Sequence, residues 1–188
     1  MNGYSEKGYE LSGFNPEKPV IMFMGGSLGS KSINEFVREN IDILTQEFQI
    51  IHLCGKDNID GSLTQNDNYI QFEFVKDELA HFINISDIVI GRSGSNAIYE
   101  LLLNLKPMIL IPLPLTQSRG DQLENAQYFA EMGYAKVIQE DDLTLQNFNS
   151  AVNDINETRH DIIMNMKQYK GGFKPDTLVS KLLNEEEV

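Results

Sequence analysis

Three stretches combine residue types whose spacing could do chemistry, and each follows an apolar run with the composition of a β-strand. The first is GGSLGS, Gly25 to Ser30. Gly25, Gly26 and Gly29 let the backbone turn tightly and approach a ligand, while Ser27, Ser30 and the free amides of a following helix could bind an anion. Phosphate is the natural guest, although such a turn can also serve geometry alone. The stretch is neither the GxGxxG dinucleotide fingerprint nor a P-loop ending in GK[ST]. The second is GRSGSNAIYE, Gly91 to Glu100. Ser93, Gly94 and Ser95 offer amides and hydroxyls, and Ser95 or Asn96 is expected to cap a helix. Glu100 falls about one and a half turns into that helix, placed either for the vicinal hydroxyls of a ribose or as an ordinary solvated glutamate. The third is PLPLTQSRGDQLENA, Pro112 to Ala126. There Asp121 and Gln122 open a helix where they could read sugar hydroxyls, Arg119 is a candidate diphosphate partner, and Asp121 could equally be an N-cap.

The other reactive side chains offer no constellation. His52 lies in a strand pattern, His81 on a helix face and His160 in a charged helical stretch, none with a partner spaced for a triad or a metal, so all three read as structural. Cys54 is alone, which excludes an intramolecular disulfide and a cysteine zinc site. A reducing, cytoplasmic setting fits.

The elements that must position these stretches alternate. Six strand-like runs, Val20–Met24, Gln49–Leu53, Tyr69–Val75, Ile88–Ile90, Met108–Ile111 and Ala135–Ile138, are separated by helical patterns. VIMFM, DIVIG and PMILIPL are apolar on both faces, as in a parallel sheet covered by helices. One helix is expected through Ile33, Phe36, Val37, Ile41 and Leu44, another through Ala97, Ile98, Leu101 and Leu102. Phe72 to Val75 reads as core strand by default, or as an aromatic edge for a base. The fold class is therefore α/β, a Rossmann-like doubly wound parallel sheet, in which ligands sit at the carboxyl ends of the strands, where the three stretches lie. Residues 1–18 lack apolar periodicity and read as a linker, leaving 19–188 as one domain with helices after Leu143 that end in Leu178, Leu182 and Leu183.

With 188 residues, 41% of them apolar, the chain can bury one core. Fifteen basic against 28 acidic residues leave a net charge of −13, which argues against nucleic acid and anionic lipid as partners. No apolar run is long enough to span a bilayer, and the first residues lack a signal-peptide layout.

The ordered set GGSLGS, FEFVKDEL, SDIVIGRSGSNAIYE, PMILIPLPL and GDQLENA closely resembles the MurG family, the UDP-N-acetylglucosamine:lipid-linked muramyl-pentapeptide transferases, from about Gly8 to the C-terminus. The resemblance implies the C-terminal, donor-binding half of a two-domain GT-B glycosyltransferase. It implies diphosphate contacts from the Gly25–Ser30 loop with Gly26 and Ser27, a uracil flanked by Phe74 and Val75, helix-start contacts to phosphate from Ser95, Asn96 and Ala97, ribose held by Glu100, and amino-sugar hydroxyls read by Asp121 and Gln122. Where some members carry two glutamines at the last site, this chain has Asp121 then Gln122, and no arginine precedes Arg38 to match the family's linker arginine.

The partners so implied are UDP-N-acetylglucosamine as donor, the missing N-terminal acceptor domain, and the lipid I acceptor in a longer enzyme within which Met1 would lie. No metal or other cofactor and no catalytic residue is expected in this half, which should bind donor without turnover. The complete enzyme would sit peripherally on the inner face of the cell membrane. The final helical pattern, Pro175 to Glu187, is expected to be loose without the other half. Two other readings share the nucleotide: a UDP-N-acetylglucosamine 2-epimerase, whose SGGxQEE pattern GRSGSNAIYE does not match, and a non-catalytic UDP-sugar-binding module.

Overall fold

A run of parallel strands buries both faces only if each crossover lays a helix back on the sheet. The computed structural model describes residues 3–169 and has this build. Strands β1 (Val20–Met24), β2 (Gln49–Leu53), β3 (Tyr69–Phe72), β4 (Ile88–Gly91), β5 (Met108–Leu110) and β6 (Ala135–Val137) form one sheet in the order β3-β2-β1-β4-β5-β6. Every pairing is parallel. The order runs outward from β1 in one direction and from β4 in the other, so the connections diverge there and leave a crevice at the carboxyl ends of those two strands.

All six strands stand where the apolar runs place them. β3 stops at Phe72 rather than continuing to Val75, and β5 stops at Leu110. The helices are α1 (Ser5–Ser12), α2 (Lys31–Glu39), α3 (Ile41–Glu47), α4 (Leu79–Ile85), α5 (Ser95–Leu103), α6 (Asp121–Glu131) and α7 (Leu145–Lys167). Val20, Met22, Phe23, Ile50, Ile51, Ile90 and Ile109 are fully buried at the centre of the sheet. On one face Phe148 of α7 closes over them, its ring centroid 6.1 Å from Phe23 and 5.5 Å from Phe36. Among the described residues no helix is long and apolar enough to cross a membrane.

Two local expectations change. The helix expected through Ile33 to Leu44 is two helices, broken at Asn40, whose backbone N–H and side-chain Nδ2 both donate to the Phe36 carbonyl. Asparagine competes in this way with the helical ladder. In the stretch read as linker, α1 lies along α4: the Tyr4 N–H donates to His81 Nδ1 at 2.9 Å and Ser5 Oγ to Asn84 Oδ1 at 2.6 Å. Polar contacts carry part of this packing, so no apolar period announced it. The helical pattern from Pro175 to Glu187, with Leu178, Leu182 and Leu183, lies outside the described residues.

His52 is structural, as its isolation in the sequence suggested. Fully buried on β2, it has Nδ1 2.9 Å from Tyr69 Oη and Nε2 2.9 Å from Asn34 Oδ1. Asn34 Nδ2 donates to the Cys54 carbonyl, which leaves Oδ1 to accept, so Nε2 carries the proton and Nδ1 accepts from the tyrosine. Burial, and then the Arg38 charge, push the imidazole down to about 3. An unfolded histidine protonates near 6.5, so the folded state loses stability as pH falls from about 6.5 toward 3, by about 1.4 kcal/mol per unit. His52→Gln keeps one donor and one acceptor but does not titrate. Urea melts should therefore show the stability advantage of the wild type over His52→Gln shrinking by about 2 kcal/mol between pH 7.5 and pH 5; an unchanged gap would mean that the imidazole is not held neutral.

Candidate functional site

The carboxyl ends of β1, β4 and β5 open into a cavity of about 900 Å³, the size of a small-molecule site. It lies at the point where the strand order reverses, and the turns after β1 and β4 and the start of α6 frame it.

The turn after β1 is shaped by its contact with the end of β2. Gly29, at φ +80°, packs so closely on Gly55, at φ +88°, that a Cβ on Gly29 would lie 2.1 Å from the Cys54 carbonyl oxygen, and one on Gly55 2.1 Å from the Gly29 nitrogen. Gly29 N–H closes the turn onto the Gly26 carbonyl at 3.0 Å, and Lys56 N–H donates to the Ser27 carbonyl at 3.2 Å. Gly26 and Ser27 are thereby held exposed on the cavity wall. Ser30, offered by the sequence as an anion ligand, is instead buried and committed. Its Oγ caps α2 by accepting from Ile33 N–H and also accepts from Arg92 Nη2 at 2.8 Å. With both lone pairs taken, its own proton is left for Ser32 Oγ, 3.2 Å away.

The turn after β4 departs from expectation at its cap. Gly94, not Ser95 or Asn96, is the N-cap of α5, and no side chain caps that helix. A glycine cap leaves the first-turn amides to outside acceptors, with the positive end of the helix dipole behind them. Ala97 lines the cavity, while Ser95 and Asn96 are exposed in the same first turn. Glu100 sits half-buried farther along α5, outside the ring of lining residues. Ser93 does not face the cavity: it is fully buried, and its Oγ donates to the Gln122 carbonyl at 2.7 Å.

Helix α6 starts at Asp121 after Gly120 at φ +96°, again without a side-chain cap. Asp121 is thus a first-turn residue and not an N-cap, and it is exposed just outside the lining. Gln122 lines the cavity and accepts from Leu113 N–H through Oε1 at 3.2 Å. Arg119 is exposed and no part of the wall. Phe74 and Val75 lie on the loop after β3, beyond both β1 and β2 from the switch point. Phe74 is 59% exposed rather than core, and Val75 packs partly on the core. The cavity therefore gathers Gly26, Ser27, Ala97 and Gln122; Phe74, Val75, Ser95, Asn96, Glu100 and Asp121 stand outside its lining.

Sequence reasoning missed Arg92 and Glu140, both on the cavity wall. Arg92 Nη2 lies 2.9 Å from Glu140 Oε1 and Nη1 3.1 Å from Oε2, a bidentate pair. Nη1 also donates to the Ile111 and Pro112 carbonyls, and Nη2 to Ser32 Oγ. Burial raises the Glu140 carboxyl, but hydrogen bonds from Arg92 and Ser32 and the Arg92 charge outweigh it and hold the group below the ordinary carboxylate range. An arginine directly after a buried strand, in GRSG, was the available signal; its partner 48 residues away was not. No group of three or more metal-ligating side chains occurs among the described residues.

A profile described as the glycosyltransferase family 28 C-terminal domain matches residues 20–180. In sequence the chain is 48% identical over 184 residues to the UDP-N-acetylglucosamine–N-acetylmuramyl-(pentapeptide) pyrophosphoryl-undecaprenol N-acetylglucosamine transferase of Staphylococcus aureus, in strain RF122 and equally in strain JH9. These matches cover 98% of this chain and 51% of the relative, so the chain spans about half the length of the curated relatives it matches. In structure it is similar to MurG of Acinetobacter baumannii, with TM-score 0.69 and 22% identity over 94% of this chain and 53% of that one. It is also similar to the glycosyltransferase VinC in complex with dTDP, with TM-score 0.61 and 18% identity over 85% and 38% of the two chains. At these identities the structural likeness is one of fold.

The Arg92 and Glu140 side chains are only 11% and 14% exposed, so removing the carboxylate strands a guanidinium. Glu140→Ala should lower the unfolding free energy at pH 7 by about 2–4 kcal/mol. Because the folded carboxyl titrates below the ordinary 4.5, that difference is in full force above 4.5 and fades as pH falls through the lowered value. Denaturant melts at pH 7 and pH 4 check both; a loss under about 0.5 kcal/mol at pH 7 would put this pair with ordinary surface ion pairs.

Proposed function

This chain belongs to the glycosyltransferase family 28 C-terminal domain family, and from that premise we propose that it is the UDP-N-acetylglucosamine-binding half of a GT-B transferase that adds N-acetylglucosamine to lipid I, a lipid-linked muramyl-pentapeptide, to give lipid II. The observation that carries the reading is the cavity at the strand switch point, walled by a glycine-serine turn and by the start of a helix that no side chain caps. In this reading both offer neutral N–H donors to the same space.

In this reading the diphosphate lies between Gly26 and Ser27 on one side and the amides of Ser95, Asn96 and Ala97 on the other. The ribose hydroxyls donate to Glu100. The uracil lies against Phe74 and Val75, and the amino sugar is read by Asp121 and Gln122. The bond from Leu113 N–H to Oε1 fixes the orientation of the Gln122 amide, so the side chain offers Nε2 as a donor beside the acceptor-only Asp121, a pair suited to one hydroxyl that donates and one that accepts.

The reaction is an inverting displacement. The acceptor hydroxyl oxygen bonds to the anomeric carbon, the bond from that carbon to the diphosphate oxygen breaks, UDP leaves with the electron pair, and a base of the other half takes the proton. This half stabilises the charge that develops on the leaving diphosphate. Its charged lining side chains are Lys31 and Arg92 against Glu35, Glu140 and Asp141, and Arg92 is neutralised by Glu140. Attraction must then come from amides and helix ends, which need no metal. The complete enzyme works on the cytoplasmic face of the cell membrane, where a lipid-linked acceptor and a soluble nucleotide sugar meet.

Calorimetry on the chain should show UDP-N-acetylglucosamine binding more tightly than UDP-glucose, with no change in EDTA. Glu100→Ala should weaken binding by about tenfold or more, the loss typical of a hydrogen bond to a charged group. A wild-type affinity that collapses in EDTA would sink the metal-free diphosphate site, and an unaffected Glu100→Ala variant would remove Glu100 from the ribose.

A further inference from the structure

Ser93 is a buried polar residue that the donor site does not use, and its surroundings are specific. It follows Arg92 at the end of β4, and the two side chains part company: Arg92 reaches the turn after β1, while Ser93 turns to α6. Ser93 is fully buried, its Oγ donates to the Gln122 carbonyl at 2.7 Å, and its own carbonyl accepts from Asn125 Nδ2 at 2.9 Å. These two bonds tie the first five residues of α6 to the end of β4. No side chain caps the first turn of α6, whose N-cap is Gly120 in the left-handed region. One residue after Ser93 comes Gly94, the N-cap of α5. A single peptide thus sets the start of α6 against the start of α5.

We propose that Ser93 is a positioning residue for sugar recognition: its hydroxyl and carbonyl register Asp121 and Gln122 against the amides of Ser95 to Ala97, so that sugar and diphosphate are read at one fixed separation. The proposal rests on the donor-site reading above. It predicts a split that a merely structural role does not. Release of the α6 start misplaces the sugar contacts but leaves the turn after β1, the α5 start and Glu100 where they are. Affinity for UDP stays constant while the additional affinity given by the sugar falls.

The test is calorimetry of the 188-residue chain with UDP and with UDP-N-acetylglucosamine, on wild type, Ser93→Ala and Asn125→Ala. Asn125 is half-buried, and its variant removes the other of the two bonds if Ser93→Ala fails to fold. Expected is a fall of about five- to tenfold in the ratio of the two affinities in either variant, the size of one buried hydrogen bond, with UDP affinity within about twofold of wild type. A variant that melts earlier but keeps the wild-type ratio makes Ser93 a stability residue and overturns the proposal. Equal losses for both ligands overturn it as well. A wild-type chain that binds neither ligand overturns the donor-site reading and this proposal with it, whereas wild-type preference for the sugar nucleotide retained in both variants overturns this proposal alone.

Discussion

A parallel sheet whose order reverses between β1 and β4 has a gap at its carboxyl edge that backbone pairing cannot close, and Arg92 is the side chain that spans it. Its guanidinium joins Ser30 and Ser32 after β1, the Ile111 and Pro112 carbonyls after β5, and Glu140 after β6. Three loops with no hydrogen-bonded ladder between them are therefore referred to one planar group. A lysine offers no such fork. The buried charge is tolerable because Glu140 meets it with both oxygens, and Glu140 keeps its own charge through the same contact. The Ser30 hydroxyl cannot serve a ligand for the same reason: it caps α2 and holds Arg92 at once.

The second fixed point is the meeting of Gly29 with Gly55. Two positive-φ glycines pack backbone to backbone, so the turn after β1 has no freedom to move toward β2. Behind it the buried chain Tyr69, His52, Asn34 and the Cys54 carbonyl ties β3, β2 and α2 together through groups that are each both satisfied and neutral. Gly26 and Ser27 are exposed on a rigid base, and that rigidity would let backbone amides act as preformed ligands in the proposed site.

What was legible in the sequence divides along the range of the interaction. The six strands were readable because burial on both faces leaves an apolar run with turn residues at each end. The turns after β1 and β4 were readable because glycine and serine at a strand end have few other uses. The break at Asn40 is local and was still missed, since the apolar period continues across it through Ile41 and Leu44. Gly94 as the cap of α5 was missed because serine and asparagine beside it are stronger capping residues, and an uncapped start makes physical sense only once something outside the helix is to be bound. The contacts of Arg92, Glu140 and Ser93 were out of reach for a different reason. Their partners lie 19 to 62 residues away, and only the folded crossover brings them together. Phe74 fell between the two cases: the apolar run FEFV continues past the end of β3, but pairing with β2 stops at Phe72.

A net charge of −13 and the anionic guest proposed above are compatible because the two act over different distances. Charges spread over the surface are screened within about 8 Å at physiological salt, whereas an amide at a helix start touches the phosphate oxygen it binds. The cavity wall itself carries no surplus of positive side chains, since Lys31 and Arg92 face Glu35, Glu140 and Asp141. A wall of lysines would grip the free nucleoside diphosphate as firmly as the sugar-linked donor and slow its departure. Neutral donors fixed by Gly29, Gly55 and Arg92 interact weakly with distant charge and strongly with charge that develops at one place. In the proposed reaction a site built this way would favour the moment at which the diphosphate gains negative charge over the states before and after it, and only while the loops that carry the donors are held still.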